Sequence, residues 1–364
     1  GHHPYIHSFP TRRSSDLKNL FCQYQVELGL ILGALILGIV FSSLPEKSVK
    51  GVYDFLRGGL IFFPTIFLAR NYGDLIISWF PWAVGLACLV FLAGYIGICM
   101  FVGDDIYRQR ELLEYYFGHY NHFGTGTALV GLLGLAVPCL LPVKWPARIA
   151  MGLVALTCLG LTLFSGSRGS VLALLVGLGF FIFMLLRRWR WLIFFGGGGL
   201  VAVFLGLLYL DILPGVGGSW DRGGNFAAFR FEIYSGTLHD TLLGGKFLGF
   251  GINTFKYQDL GQVLPFQLIM PHSVPIELFY SLGLIGSSFM VAACFKFGRS
   301  AIANGFEQSP LRIVGGCILV FILSRGAIDL KLWSVYFPAL VSCGLGLMLS
   351  PFPPGQSVPV RREI

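Results

Sequence analysis

The sequence predicts an all-α, polytopic helical membrane protein with about ten transmembrane helices and one large extramembrane loop subdomain. Three observations carry this. Of 364 residues, 55% are hydrophobic and only 12% are charged, and the mean hydropathy is +0.74. The apolar residues fall in runs that approach or exceed the roughly 20 residues a helix needs to cross a bilayer. Asp211 to Ser273 is the one long polar interval among them. Lipid offers the backbone no hydrogen-bond partner, so the apolar runs are helices and the polar interval lies outside the membrane.

Taken in order, Gly1 to Leu17 is rich in His, Arg and Ser and has no apolar core, so it is expected to be foreign to the fold and does not read as a signal peptide. Spans are predicted at roughly Val26–Leu44, Val52–Ala69, Leu75–Phe101, Phe123–Val143, Ile149–Ser165, Val171–Leu186 and Leu192–Leu210. After the loop come Val274–Phe297, Ile313–Leu323 and beyond, and Trp333–Leu349. The chain therefore divides into a leader foreign to the fold (1–17), a first set of helices (18–210), the loop subdomain (211–273), a second set (274–350) and a tail (351–364).

Cations set the sidedness. Arg70, Lys144 with Arg148, Arg187-Arg188-Trp189-Arg190, the Lys296/Arg299/Arg312 group and Arg361-Arg362 fall on alternate connections, which marks that side as cytoplasmic. The opposite side receives Glu46–Lys50, Gly103–His122, Ser165–Arg168, the long loop and Arg325–Lys331. In a bacterial inner membrane it is the periplasmic side. The net charge of +8 sits mostly in these short connections, so no nucleic-acid partner is expected. Cys88, Cys99, Cys139, Cys158, Cys294, Cys317 and Cys343 lie in apolar runs and Cys22 just before one. All eight read as small apolar packing residues rather than a disulfide framework.

Cations on the loop side break the sorting rule and need a reason. Arg168, in Ser165-Gly-Ser-Arg168-Gly, sits between two spans with almost no connecting loop. Burying its guanidinium there costs about 2.5–3.5 kcal/mol, which calls for an anionic partner or ligand; the alternative is snorkelling to lipid phosphate. Within the loop, Phe226 to Tyr234 opens an amphipathic helix that ends at Gly244-Gly245. Arg222 and Arg230 fit phosphate clamps, whose planar fork binds two oxygens at once. Pairing of Arg222 with Asp221 or Asp240, and of Arg230 with Glu232 or a helix carbonyl, is the other reading. Leu248-Gly-Phe-Gly251 suits a tight turn under a ligand.

His272 precedes the span that Pro275 helps to open. The positive end of that helix favours an anion nearby and a neutral imidazole, which would give a base beside an anion site. A structural histidine at the interface is the other reading, and the three arginines on the same side favour chemistry on a phosphorylated lipid. Asp329, near the end of the next span, is a candidate for orienting a cation or an acceptor, against local pairing with Arg325 or Lys331. His119 and His122 are three apart with no third ligand pattern around them. Asp104-Asp105 is not the spaced acidic pair of a metal-dependent transferase, so neither a metal nor a cofactor is expected. Gly196 to Gly199 lies in a span, where glycines let helices approach closely.

The order of these features resembles the O-antigen ligase and polymerase superfamily of bacterial inner-membrane glycosyltransferases. The pieces are Phe123-Gly-Thr-Gly, Ser165-Gly-Ser-Arg168-Gly, Arg230-x-x-x-Tyr234, Leu248-Gly-Phe-Gly251-x-x-x-Phe255, His272 leading into Leu282-Gly-Leu-Ile-Gly286, and Asp329 before Trp333. Together they span nearly the whole chain after Leu20. The resemblance implies a glycosyltransferase-C-like fold and an inverting, metal-independent transfer of a glycan from undecaprenyl diphosphate to an acceptor hydroxyl, that of lipid A core in the ligase branch. It implies that His272 activates or positions the acceptor and that Arg168 and Arg230 hold the diphosphate; Arg222 and Asp329 stay candidate binding residues on their own positions in the sequence. Two departures are Ser273 in place of the Asn common after this His, and fewer spans than the family usually has, which implies that helices are missing from the start. Polymerisation of lipid-linked glycans and glycosylation of a pilin-like protein use the same loop with another acceptor. A flippase or transporter would carry its ionisable residues nearer mid-span.

Overall fold

A computed structural model of the protein describes residues 19, 21–103, 109, 112–113, 115–116, 120–141, 143–186, 224–242, 246–257, 273–303 and 309–350, without the side chains of residues 74, 120, 224–232, 256 and 329. Among the described residues there is no strand, and eleven α-helices follow one another. They are α1 (Gln25–Val40), α2 (Pro45–Gly59), α3 (Phe62–Asn71), α4 (Gly73–Val102), α5 (Tyr120–Leu140), α6 (Trp145–Phe164), α7 (Arg168–Leu185), α8 (Gly224–Leu242), α9 (Val274–Ala303), α10 (Pro310–Asp329) and α11 (Tyr336–Leu349). Seven stretches, counting α2 and α3 as one from Pro45 to Asn71, are long and apolar enough to cross a membrane; α1 and α11 are apolar but shorter. The predicted span Leu192–Leu210 and the Gly196–Gly199 run lie outside the described residues.

Proline sets several starts. Pro45, Pro146 and Pro310 occupy the first or second positions of α2, α6 and α10, and Pro275 is the second residue of α9. The missing N–H is no loss there and the fixed φ suits a helix. Pro45 also makes a helix of Glu46–Lys50, which the sequence reading assigned to a connection; the connection is Phe41–Leu44 instead.

Burial separates inner from outer helices. Of the span in α5, 83% is buried, against 17% for that in α4. α5 packs against α4, α6, α7 and α10. Small residues permit this: a Cβ on Gly134 would lie 3.1 Å from that of Ala155 in α6. α10 and α11 cross in the same way, the Cβ position of Gly315 being 2.7 Å from the carbonyl oxygen of Gly344. Cys88, Cys158 and Cys317 are buried as expected of packing residues, whereas Cys22, Cys139 and Cys294 lie exposed on the bundle surface.

α9 is kinked at Gly283, whose φ of 63° lies in the left-handed region. The kink breaks the helical ladder, and a loop segment takes up the freed groups. The Leu284 N–H donates to the Phe247 carbonyl (2.9 Å), while the Phe250 and Gly251 N–H groups donate to the Tyr280 and Ser281 carbonyls (3.0 Å each). On its other side the same segment meets the α1–α2 connection: the Ser43 hydroxyl donates to the Phe250 carbonyl (3.0 Å) and the Ser48 hydroxyl to that of Ile252 (2.9 Å). The glycines expected to form a turn under a ligand are thus filled by protein. A Cβ on Gly249 would sit 2.5 Å from the Ser281 carbonyl oxygen, and one on Gly251 2.5 Å from Ser42 Cβ.

Candidate functional site

The starts of α5, α7 and α9 and the end of α10 meet at one end of the bundle. Arg168 is the first residue of α7 and is half-buried. Beside it, the Cβ position of Gly169 lies 3.2 Å from Cγ2 of Ile328, the neighbour of Asp329, the last residue of α10. Three residues back in α10, the Cβ position of Gly326 lies 3.2 Å from Cγ2 of Val274, where α9 begins. The backbones carrying Arg168 and Asp329 and the helix that follows His272 are therefore contiguous. His272 itself and Arg222 lie outside the described residues, as does the side chain of Asp329.

α8 forms within the polar interval, as predicted, and packs on α9. Its buried residues Ile233, Thr237 and Thr241 recur every four positions, the spacing of one helical face. Ile233 joins Phe255 and Tyr280 in a small core, where the Tyr280 ring stacks on Phe250 with centroids 4.5 Å apart. Arg230 belongs to this helix, one turn before Ile233, and its side chain lies outside the description.

The turn before α7 is held by hydroxyls. The Ser165 hydroxyl donates to the Thr162 carbonyl (2.7 Å), the Ser167 N–H donates to Ser165 Oγ (3.3 Å), and the Ser167 and Ser170 hydroxyls share a bond of 2.7 Å. Ser167 precedes α7 and its carbonyl accepts the N–H groups of Ser170 and Val171 (3.0 and 3.2 Å). Gly124 of α5 closes over this turn, with its Cβ position 2.5 Å from Ser165 Oγ.

Sequence reasoning placed Arg325 in an outer connection, but it is fully buried in α10, and its Nε donates to Thr125 Oγ1 of α5 at 3.0 Å. An arginine between the apolar run that ends at Leu323 and its continuation in Gly326-Ala327-Ile328 was the signal for this. Glu277 was also missed; it is buried in the first turn of α9, where its carboxylate accepts the Leu332 N–H. His122 stacks on Tyr336 with ring centroids 5.8 Å apart. His119, Asp104 and Asp105 lie outside the described residues. Among the described residues, no group of three or more His, Cys, Asp or Glu is placed to hold a metal ion.

Chemically, this end of the bundle offers a helix N-terminus with an arginine at its first position, beside a second helix N-terminus and a helix C-terminus. Helix N-termini favour anions, and a guanidinium adds paired donors. No protein-family model matches the chain, and neither does any curated protein.

Proposed function

We propose that the protein is an O-antigen ligase-like glycosyltransferase of the bacterial inner membrane, with its site facing the periplasm. It moves a glycan from undecaprenyl diphosphate to a hydroxyl of lipid A core. The acceptor oxygen attacks the anomeric carbon from the face opposite the diphosphate, the sugar–phosphate bond breaks, and the configuration inverts. His272 takes the acceptor proton, and Arg168 and Arg230 stabilise the departing diphosphate. Arg222 and Asp329 contribute to substrate binding.

The observation that carries this reading is the contiguity of the backbones of Arg168, Asp329 and the start of α9 at the end of the bundle where the polar interval returns. A lipid-linked donor needs its diphosphate held at such a boundary, between apolar spans and an aqueous loop.

The test is glycan transfer by the purified protein in liposomes carrying an undecaprenyl-diphosphate-linked glycan and lipid A core. Wild type should transfer, and His272→Ala should accumulate normally and transfer nothing. Transfer to a second lipid-linked glycan or to a pilin-like protein in place of lipid A core would reassign the acceptor. Undiminished transfer by His272→Ala would remove His272 from the mechanism. Passage of the lipid across the bilayer without transfer would make the protein a transporter.

A further inference from the structure

Arg325 lies one turn from the end of α10, after the apolar stretch Ile313–Leu323, and its side chain is completely buried. Such a residue is expensive to keep in a span, which points to a role beyond filling space. Its surroundings state what it touches. Nε donates to Thr125 Oγ1 at 3.0 Å, and Thr125 in turn donates its proton to the Asn121 carbonyl at 2.7 Å. A hydroxyl has one proton and two lone pairs, so with its proton committed Thr125 faces Ser170 as an acceptor, at 3.2 Å. Ser170 then passes the chain to Ser167 at 2.7 Å. The bonds run without a break from the guanidinium to the residue that precedes Arg168.

The guanidinium also abuts the chain one residue after Arg168. A Cβ on Gly169 would come within 2.5 Å of Nη1 and 3.1 Å of Cζ. On the other side of the turn, a Cβ on Gly124 would lie 2.7 Å from that of Ser167. The Ser165–Ser170 turn is therefore gripped between two helices: Gly124 leaves no room for a Cβ against Ser167, and a Cβ on Gly169 would displace the Arg325 head.

We infer that Arg325 is a positioning residue for diphosphate recognition: through Thr125, Ser170 and Gly169 it fixes the turn that presents Arg168 to the donor. This rests on the proposed function, in which Arg168 binds the diphosphate. A clamp whose backbone is already ordered does not lose that entropy when it binds, and small displacements of its support cost affinity.

The experiment is a titration of the purified full chain in detergent with undecaprenyl diphosphate, together with a thermal unfolding midpoint for each variant. Arg325→Lys keeps the charge and loses both the Nε bond and the guanidinium end that meets Gly169. Gly169→Ala and Thr125→Val alter the contact without touching any charge, and Thr125→Ser restores the hydroxyl. The first three should weaken binding roughly ten-fold at a temperature below every variant's unfolding midpoint, although each midpoint falls as a buried donor loses its acceptor or a methyl is forced in, and Thr125→Ser should bind normally. In an Arg168→Ala background, Arg325→Lys should add nothing, because its effect passes through Arg168.

Normal binding by Arg325→Lys and Thr125→Val, or an equal further loss in the Arg168→Ala background, overturns the inference and leaves the proposed function standing. If Arg168→Ala itself binds normally, the proposed function falls and the inference falls with it.

Discussion

The carboxylate of Glu277 accepts the backbone N–H of Leu332 at 2.5 Å, and one turn further along α9 the Ser281 hydroxyl accepts the indole N–H of Trp333 at 2.8 Å. These two bonds clip the α10–α11 connection onto the helix that follows His272. Trp333 is buried and its ring packs 5.5 Å from that of Phe55, so the clip also reaches α2.

Glu277→Ala leaves a buried N–H without its acceptor and should destabilise the protein by about 1–3 kcal/mol. Glu277→Gln keeps an acceptor oxygen and should recover most of that loss. Thermal unfolding in detergent distinguishes them; equal midpoints for wild type and Glu277→Ala would show that the bond contributes nothing.

Gly283 combines a left-handed φ with the close approach of Phe247 and Gly249. Gly283→Ala should cost at least about 1–2 kcal/mol for the backbone alone, and more for displacing the 247–251 segment. Faster proteolysis within 246–257 is the readout. A Gly283→Ala protein as resistant as wild type would mean that the segment does not depend on the kink.

Arg168→Lys and Arg230→Lys keep the charge and lose the fork, so each should transfer glycan at well below the wild-type rate, with the Ala variants lower still. On the metal-independent mechanism, a chelator should leave the wild-type rate unchanged, because guanidinium groups stabilise the leaving diphosphate. Transfer that stopped with chelator and returned with magnesium or manganese, together with active Lys variants, would redirect attention to Asp104, Asp105 and Asp329.

The charge distribution predicts sidedness. A reporter fused within Gly244–Gln262 should report periplasm and one after Arg190 cytoplasm. Identical compartments for the two fusions would overturn the topology.

The sequence by itself determined the helical class, the places where most helices begin, and the amphipathic helix inside the polar interval. These follow from short-range causes: apolar run length throughout, Pro275 at the start of α9, and Gly244-Gly245 after the predicted end of the loop helix. It also placed Arg168 in the short connection between two spans, three residues ahead of the predicted start at Val171, whereas α7 begins at Arg168 itself. Four features were decided only by tertiary structure. Lys331–Val335, read partly as span, is irregular because Leu332 and Trp333 bond to Glu277 and Ser281, more than fifty residues away. α9 bends at Gly283 because a distant segment supplies the hydrogen bonds that the bend removes from its ladder. Gly249 and Gly251 serve that docking instead of a ligand. Arg325 turns inward because Thr125 and the backbone at Gly169 receive it there. Each is an exchange of partners between segments far apart in the chain. Local periodicity records which residues are apolar and how they alternate; it does not record which distant group will satisfy a donor or acceptor that the local helix gives up.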